Sequence, residues 1–180
     1  MKNFDNFRFA FVLGIACLMG APALAQEPPV NISAARHPHL ADAQQQCKLA
    51  WTKLGEAQKA NDWDMQGNAQ RAKGLLVQAA QLMKQAAESA NQNANKAKPG
   101  SGPAGQAPAV DISAARHPHL AAAQQEIQKA WQKMVEAQKA NDWDMDGHAQ
   151  KAKELLAQAT KDLKSAALAA NTAGAAKKGK

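Results

Sequence analysis

The sequence lacks most of what could hold a small protein together other than apolar packing. It has no tyrosine, only 4% aromatic residues and two cysteines in 180 residues. β-Branched residues are also scarce, which argues against a sheet protein. The abundant Ala, Leu, Lys and Gln are strong helix formers, because they lose little rotamer freedom in a helix. The composition therefore predicts an all-α protein stabilised by its core.

Residues 1–25 have the pattern of a secretory signal peptide. A basic start is followed by an apolar run over 9–19 and by Ala23-Leu24-Ala25, a small-x-small cleavage site. The apolar run is too short to span a bilayer comfortably. We therefore predict a periplasmic or secreted protein that begins at Gln26 and has no stable membrane span.

The two cysteines have different expected fates. Cys17 lies inside the signal peptide, and lipid anchoring through it is the less favoured alternative, because Gly14 stands where a lipoprotein signal carries a residue such as leucine. Removal of residues 1–25 leaves Cys47 as the only thiol, so an internal disulfide is excluded. Cys47 aligns with Ile127 in the repeat described next and is interpreted as a small buried hydrophobe. A dimer linked through Cys47 is left open.

The chain contains one unit twice. Residues 30–91 align with residues 110–171 at a constant offset of 80, and 41 of the 62 paired positions are identical. Such self-similarity indicates two copies of one supersecondary unit. The predicted organisation is a signal peptide (1–25), a first helical hairpin (26–97), a Pro/Gly-rich linker (98–109), a second hairpin (110–171) and a basic flexible tail (172–180).

Each copy shows two apolar seams of helical period. Proline in His37-Pro38 and His117-Pro118 is favoured at the first position of a helix. The seam of the first helix comprises Leu40, Ala43, Cys47, Ala50, Leu54 and Ala57, and in copy two Leu120, Ala123, Ile127, Ala130, Met134 and Ala137. The second seam comprises Met65, Ala69, Ala72, Leu76, Ala79, Met83, Ala86 and Ala90, and in copy two Met145, Ala149, Ala152, Leu156, Ala159, Leu163, Ala166 and Ala170. Spacings of three and four place each seam on one helix face.

A hairpin with one apolar face needs a partner, so two hairpins predict a four-helix bundle. We expect an up-down-up-down arrangement, in which both His-Pro-His segments lie at one end and both Asn-Asp-Trp-Asp-Met loops at the other. The linker is long enough for hairpins to pair within one chain or between two chains. A monomer and a dimer therefore both remain open.

The histidines are the first candidate site. If the bundle closes in the expected way, His37, His39, His117 and His119 converge at one end, and imidazole is a good ligand for copper, nickel or zinc. His148 has no equivalent in copy one, where Asn68 stands. The alternative is that these histidines cap helices or lie in solvent.

The duplicated loop is the second candidate. Asp142-Trp-Asp144-Met-Asp146-Gly147 resembles the opening of a calcium-binding loop, but Lys153 stands where that loop needs its last carboxylate. A capped hairpin turn is the favoured reading. Met65 and Met145 with His148 would suit reduced copper, although both methionines also begin a core seam.

Other classes of function have little support. Among common catalytic signatures there is no nucleophile elbow, no His-Glu-x-x-His and no phosphate loop, so we predict that the protein is not an enzyme. The net charge of +7 is spread over helices without a dense basic run, and nucleic acid is not expected as a partner. Lysines such as Lys73 are interpreted as solubilising surface.

The repeats also resemble known families. Ala35-Arg-His-Pro-His-Leu40 and the stretch 137–149 followed by Lys151-Ala-Lys-Glu-Leu-Leu156 resemble small secreted proteobacterial helical-repeat proteins of uncharacterised function. Two helical hairpins with His39-Leu40 and Gly147-His148-Ala149 at helix starts are similar in architecture to the periplasmic small metal-binding protein family, a histidine-rich four-helix bundle. This second resemblance implies copper or other divalent ions as ligands of His39, His119 and His148.

Together these features predict a non-enzymatic periplasmic bundle that binds transition metals through its His-Pro-His segments. The alternative is a structural or stress-related envelope protein that binds other envelope proteins without metal. Weak calcium binding at the loops is a second alternative.

Overall fold

The structure is a computed structural model that describes residues 26–61, 65–92, 106–141 and 145–178. Four long helices make up most of these residues. They are α1 (Pro38–Asn61), α2 (Asn68–Gln92), α3 (Pro118–Asn141) and α4 (His148–Lys178). A short 3₁₀ turn precedes α2 (Met65–Gly67) and α4 (Met145–Gly147). The predicted all-α four-helix bundle is confirmed, and the predicted signal peptide lies outside the described residues.

The apolar seams form the core. Every seam residue of α1 and α3 is at most 1% exposed, and every seam residue of α2 and α4 except Ala90 and Ala170 is fully buried. Ala90 is 7% exposed and Ala170 is half-buried at the end of the seam. Most core residues are alanines, whose small side chains let helices approach closely. The two hairpins thus share one core in place of two.

The order of helix directions differs from the expected up-down-up-down. His39, in the first turn of α1, contacts Glu136 near the end of α3, while His119 at the start of α3 contacts Glu56 near the end of α1. The start of each helix therefore lies beside the end of the other, which makes α1 and α3 antiparallel. Since each hairpin is itself antiparallel, the order along the chain is up-down-down-up. The expectation that both His-Pro-His segments share one end is wrong.

The up-down-down-up order determines which helix ends the connection between the hairpins must join. α2 ends at the end of the bundle where α1 begins, whereas α3 begins at the opposite end. Residues 93–117 therefore link opposite ends of a bundle whose first helix is about 36 Å long at 1.5 Å per residue. The sequence was compatible with both arrangements, because the same linker length reaches an adjacent or an opposite helix end.

A non-helical segment precedes each hairpin and packs along it; we call residues 26–37 and 106–117 strap 1 and strap 2. Gln44 is fully buried and its Oε1 accepts hydrogen bonds from the backbone N–H of Asn31 (3.0 Å) and Ile32 (3.1 Å). Its amide donates to the Ala80 carbonyl of α2 at 2.9 Å. One buried glutamine therefore fastens strap 1 to both helices of its hairpin.

Gln124 repeats the contacts of Gln44 with the strap in the second copy. Its Oε1 accepts from Asp111 and Ile112 N–H, both at 2.9 Å. Its amide donates to Asp111 Oδ1 at 3.0 Å. Both straps were missed in the sequence, because a segment fastened mainly by side-chain hydrogen bonds has no apolar periodicity.

The turn before α2 has left-handed backbone geometry. Met65, Gln66 and Gly67 have φ of 51°, 56° and 72°, and Met145, Asp146 and Gly147 repeat this with 52°, 56° and 76°. Such values cost about 1 kcal/mol or more for a side chain with Cβ. Full burial of Met65 and Met145 in the core offsets that cost. The prediction that both methionines begin the second seam is confirmed.

Two further boundaries complete the fold. α4 continues to Lys178, whereas the sequence predicted hairpin 2 to end at 171 and a flexible tail to follow. The Ala-rich stretch after Asn171 explains this, since alanine is the best helix former. In the described part of the chain, no helix combines the length and apolarity needed to cross a membrane.

Candidate functional site: two equivalent grooves and the predicted metal residues

The outer histidine of each His-Pro-His segment has a structural role. His37 Nε2 lies 3.0 Å from Asn91 Oδ1, and His117 Nε2 lies 3.0 Å from Asn171 Oδ1. The carbonyl of His37 also accepts from Ala41 N–H at 3.0 Å, which begins α1. Each contact joins the start of one helix to the end of the other within the same hairpin. This geometry matches the capping interpretation of His37 and His117.

The inner histidines join the two hairpins. His39 Nδ1 lies 3.0 Å from Glu136 Oε2, and the same oxygen accepts from Lys133 Nζ at 2.8 Å. His119 Nδ1 lies 2.9 Å from Glu56 Oε2, which accepts from Lys53 at 2.9 Å. Hydrogen bonding to Lys53 and then to His119 lowers the pKa of Glu56. These groups form two equivalent His–Glu–Lys clusters at opposite ends of α1 and α3.

The structure does not bring the predicted metal ligands together. His37 and His39 lie at one end of the bundle and His117 and His119 at the other. Across the described ranges, no three His, Cys, Asp or Glu side chains are placed to hold a metal ion. His148 is half-buried at the start of α4, and its Nδ1 has no hydrogen-bond partner in the described part of the chain. Metal binding by these five histidines stays a prediction.

Only part of the predicted calcium-binding loop lies in the described residues. Asp142 and Asp144 lie outside the described residues. Asp146 occupies the left-handed turn and is exposed. Lys153 occupies the last ligand position of the motif and is only 2% exposed. Its ammonium group cannot replace the carboxylate that calcium binding needs at that position.

Two buried lysines were missed by sequence reasoning. Lys73 is 8% exposed, so its assignment to the solubilising surface is wrong. Its Nζ lies 3.9 Å from the centre of the Trp51 ring and donates to Gln58 Oε1 at 3.2 Å. Lys153 lies 5.6 Å from the Trp131 ring centre in the equivalent place. Burial lowers the pKa of both lysines, with the charge of Lys59 adding to the effect at Lys73.

Cys47 is a core residue. Its side chain projects from α1 into the core and is fully buried. Loss of solvation raises the pKa of its thiol to about 12. A thiol of that kind is a poor nucleophile, because thiolate is the reactive form. The interpretation of Cys47 as a small buried hydrophobe agrees with this placement.

An open groove lies between the strap and the second helix of each repeat. Groove 1 has a volume of about 140 Å³ and groove 2 about 290 Å³. The same nine positions line both, at the repeat offset of 80. Groove 1 is lined by Asn31, Ile32, Ser33, Arg36, His37, Lys84, Ala87, Glu88 and Asn91. Groove 2 is lined by Asp111, Ile112, Ser113, Arg116, His117, Lys164, Ala167, Leu168 and Asn171.

The grooves have an apolar floor and a cationic rim. Ile32 and Ala87 form part of the floor in groove 1, and Ile112 and Ala167 in groove 2. Arg36 and Lys84 supply the cations of groove 1. The signal that could have revealed these grooves is the identity of seven of the nine lining positions between the copies, including Ser33, Arg36 and His37 of the strap.

Comparison with known proteins adds no neighbour to this description. No family model, no curated protein and no solved structure matches the chain.

Proposed function

We propose that the mature chain is a non-enzymatic binding protein of the periplasm or extracellular space that engages an envelope component through its two grooves. The observation that carries this proposal is the duplication of the grooves: nine lining positions correspond between the copies at a constant offset. The lining is identical at seven of these nine positions, compared with 41 of 62 over the whole repeat. A concave site with an apolar floor and a few polar groups is the usual form of a binding site.

Filling the grooves tests this proposal. Ser33 and Ser113 are exposed lining residues, so Ser33→Trp with Ser113→Trp should occupy both grooves without disturbing the core. The measurement is sedimentation of purified residues 26–180 with cell-wall and outer-membrane fractions. We expect the wild type to bind one fraction and the double variant to lose most of that binding. Gln70→Trp, at an exposed position outside the grooves, is the matched control; equal binding by all three proteins would contradict the proposal.

Transition-metal binding is the second candidate function. The observation in its favour is the pairing of an imidazole with a carboxylate within 3.0 Å in both His–Glu–Lys clusters. In each cluster the Nδ1 side of the ring is engaged, which leaves Nε2 as the nitrogen for copper, nickel or zinc. A single imidazole, with the carboxylate acting only as the hydrogen-bond partner of its Nδ1, makes a weaker site than the four converging histidines first expected.

Titration of the three metals separates this candidate from the first. A metal bound to the folded state should raise the melting temperature by mass action, and a chelator should reverse the rise. His39→Ala with His119→Ala should remove the effect if the clusters bind the metal. An unchanged melting temperature at about 100-fold excess over a micromolar dissociation constant would exclude a functional metal site.

The compartment can be tested directly. Cleavage after Ala25 predicts a mature amino terminus at Gln26, which mass spectrometry of the protein isolated from its native cells would show. A chain that retains residues 1–25 would overturn the proposed location.

A further inference from the structure

We propose that each groove binds one carboxylate or phosphate group of a small organic anion, with the guanidinium of Arg36 in groove 1 and of Arg116 in groove 2 as the receiving cation. This inference rests on the grooves being the binding surface and adds the class of ligand.

The charges of the two grooves carry the argument. Each groove has two cations and one carboxylate, but the carboxylate comes from a different element. In groove 1 Lys84 Nζ lies 3.6 Å from Glu88, both on α2. In groove 2 Lys164 of α4 donates to Asp111 of strap 2 at 2.6 Å, and this contact lowers the pKa of Asp111. In both grooves the carboxylate therefore neutralises the lysine.

The arginine is left as the excess charge in both copies. Neither Arg36 nor Arg116 forms an ion pair with any residue in the described ranges. The carboxylate lies on the helix in groove 1 and on the strap in groove 2, yet each groove has one cation that its own residues do not neutralise. An anion from outside can pair with that cation in either groove.

The arginine is also well placed for recognition. Its planar guanidinium can donate two parallel hydrogen bonds to a carboxylate or phosphate. The backbone N–H of Arg36 donates to the Ser33 carbonyl at 3.1 Å, and that of Arg116 to Ser113 at 3.2 Å, so the strap turn fixes where each side chain begins. Both arginines lie just before a helix amino terminus, whose dipole favours a nearby anion.

The apolar floor and the volume indicate what the groove itself can hold. About 290 Å³ in groove 2 accommodates a charged group with a short carbon stem. Leu168 is 66% exposed beside groove 2, where groove 1 has Glu88. Each groove contains one carboxylate, so the difference lies in apolar contact. Groove 2 should therefore bind organic anions more tightly than groove 1, because Leu168 can contact the carbon stem and Glu88 cannot.

Titration of residues 26–180 with two probes, butanoate and inorganic phosphate, tests the proposal at low ionic strength. The readout is the NMR signal of each arginine Nε–H. We expect saturable shifts at Arg36 and Arg116, with weaker binding as salt screens the charge. Tighter binding of butanoate would identify a carboxylate ligand, and tighter binding of phosphate a phosphate ester.

Single variants assign the sites. Arg116→Gln should weaken binding in groove 2 by about tenfold or more and leave the Arg36 signal responsive. Arg71→Gln, an exposed arginine outside both grooves, is the matched control and should change neither site. Leu168→Glu should weaken groove 2, while Glu88→Leu should strengthen groove 1.

Three outcomes would overturn the inference. One is unsaturable shifts spread over all surface cations, and another is undiminished binding by the Arg36→Gln, Arg116→Gln double variant. The third is that residues 26–180 respond to neither probe, although the Ser33→Trp, Ser113→Trp variant has lost envelope binding. In that case the grooves would remain the binding surface and only the anionic ligand would be wrong.

Discussion

Hairpin 1 and hairpin 2 have equivalent apolar seams and an equivalent buried glutamine that binds the strap, yet their exposed surfaces differ. Where the hairpins meet in the core, exchanges are apolar for apolar, as Cys47 for Ile127 and Leu54 for Met134. Exchanges that alter charge lie outside the apolar seams, on exposed positions such as Glu88 for Leu168 or on half-buried ones such as Leu82 for Asp162. The comparison shows that the shared core constrains both copies together, whereas positions outside the seams, including two of the nine that line each groove, have changed in charge or polarity.

The near-symmetry predicts that one hairpin can replace the other. Each copy contains both an inner histidine and its partner type, so two copies of residues 26–97 would recreate the contacts of His39 with Glu56 across a homodimer. A single hairpin cannot bury its seam alone. We expect isolated residues 26–97 to elute and scatter light as a dimer. A folded monomer would show that the second hairpin is dispensable.

Cys47 provides a matched test of that dimer. The contacts of His39 with Glu136 and of His119 with Glu56 place the middle of α1 against the middle of α3, so Cys47 lies opposite Ile127. In a homodimer of hairpin 1 two Cys47 side chains would meet instead. Mild oxidation should cross-link that dimer, and Cys47→Ile should prevent the cross-link while preserving the dimer.

The next largest effect distinguishes the two residues at this contact. Both Cys47 and Ile127 are fully buried. Ile127→Ala should lower the free energy of unfolding by about 2–5 kcal/mol, because it removes more carbon and leaves a larger cavity. Cys47→Ala should cost about 1 kcal/mol. Urea denaturation of the full mature chain measures both, and equal losses would mean that the core relaxes around Ile127.

These residues also show how far sequence reasoning reaches. The seam positions could be predicted because a helix buries every third or fourth residue whatever it packs against. The direction of α3 relative to α1 could not, since the seam looks the same from either end. The contacts that record it, between His39 and Glu136 and between His119 and Glu56, join residues far apart in sequence whose pairing no spacing rule signals.

The candidate grooves were hidden for a different reason. Their walls combine a strap without periodicity and the outer face of the second helix, and neither is recognisable until Gln44 and Gln124 are seen to hold the straps in place. Glutamines on a helix normally suggest exposed surface. Only burial identifies these two as structural.

The glutamines give a smaller, still measurable comparison. Gln44→Leu would leave the N–H groups of Asn31 and Ile32 and the Ala80 carbonyl without their partner. We expect a loss of about 1–3 kcal/mol in the free energy of unfolding. Gln124→Leu should cost slightly less, because within the described ranges Gln124 bonds only to strap 2, whereas Gln44 also donates to the Ala80 carbonyl of α2. Faster amide exchange at Ile32 or Ile112 would locate each effect in its strap; unchanged exchange would show that the straps are held by other contacts.

The smallest expected effect concerns the lysines beneath Trp51 and Trp131. Burial lowers the pKa of Lys73 and Lys153 in the folded state, so the unfolded chain binds more protons between that lowered value and the ordinary value of about 10.4. Stability should therefore rise as pH increases through this window. Lys73→Met and Lys153→Met should each remove part of the rise, because methionine keeps the apolar stem and loses the charge. Urea denaturation between pH 7 and 10 measures it, with the exposed Lys161→Met as control. If both variants kept the wild-type dependence of the free energy of unfolding on pH, the two ammonium groups would have to be solvated in the folded protein. The closer approach of Lys73 to its tryptophan would then not contribute to stability.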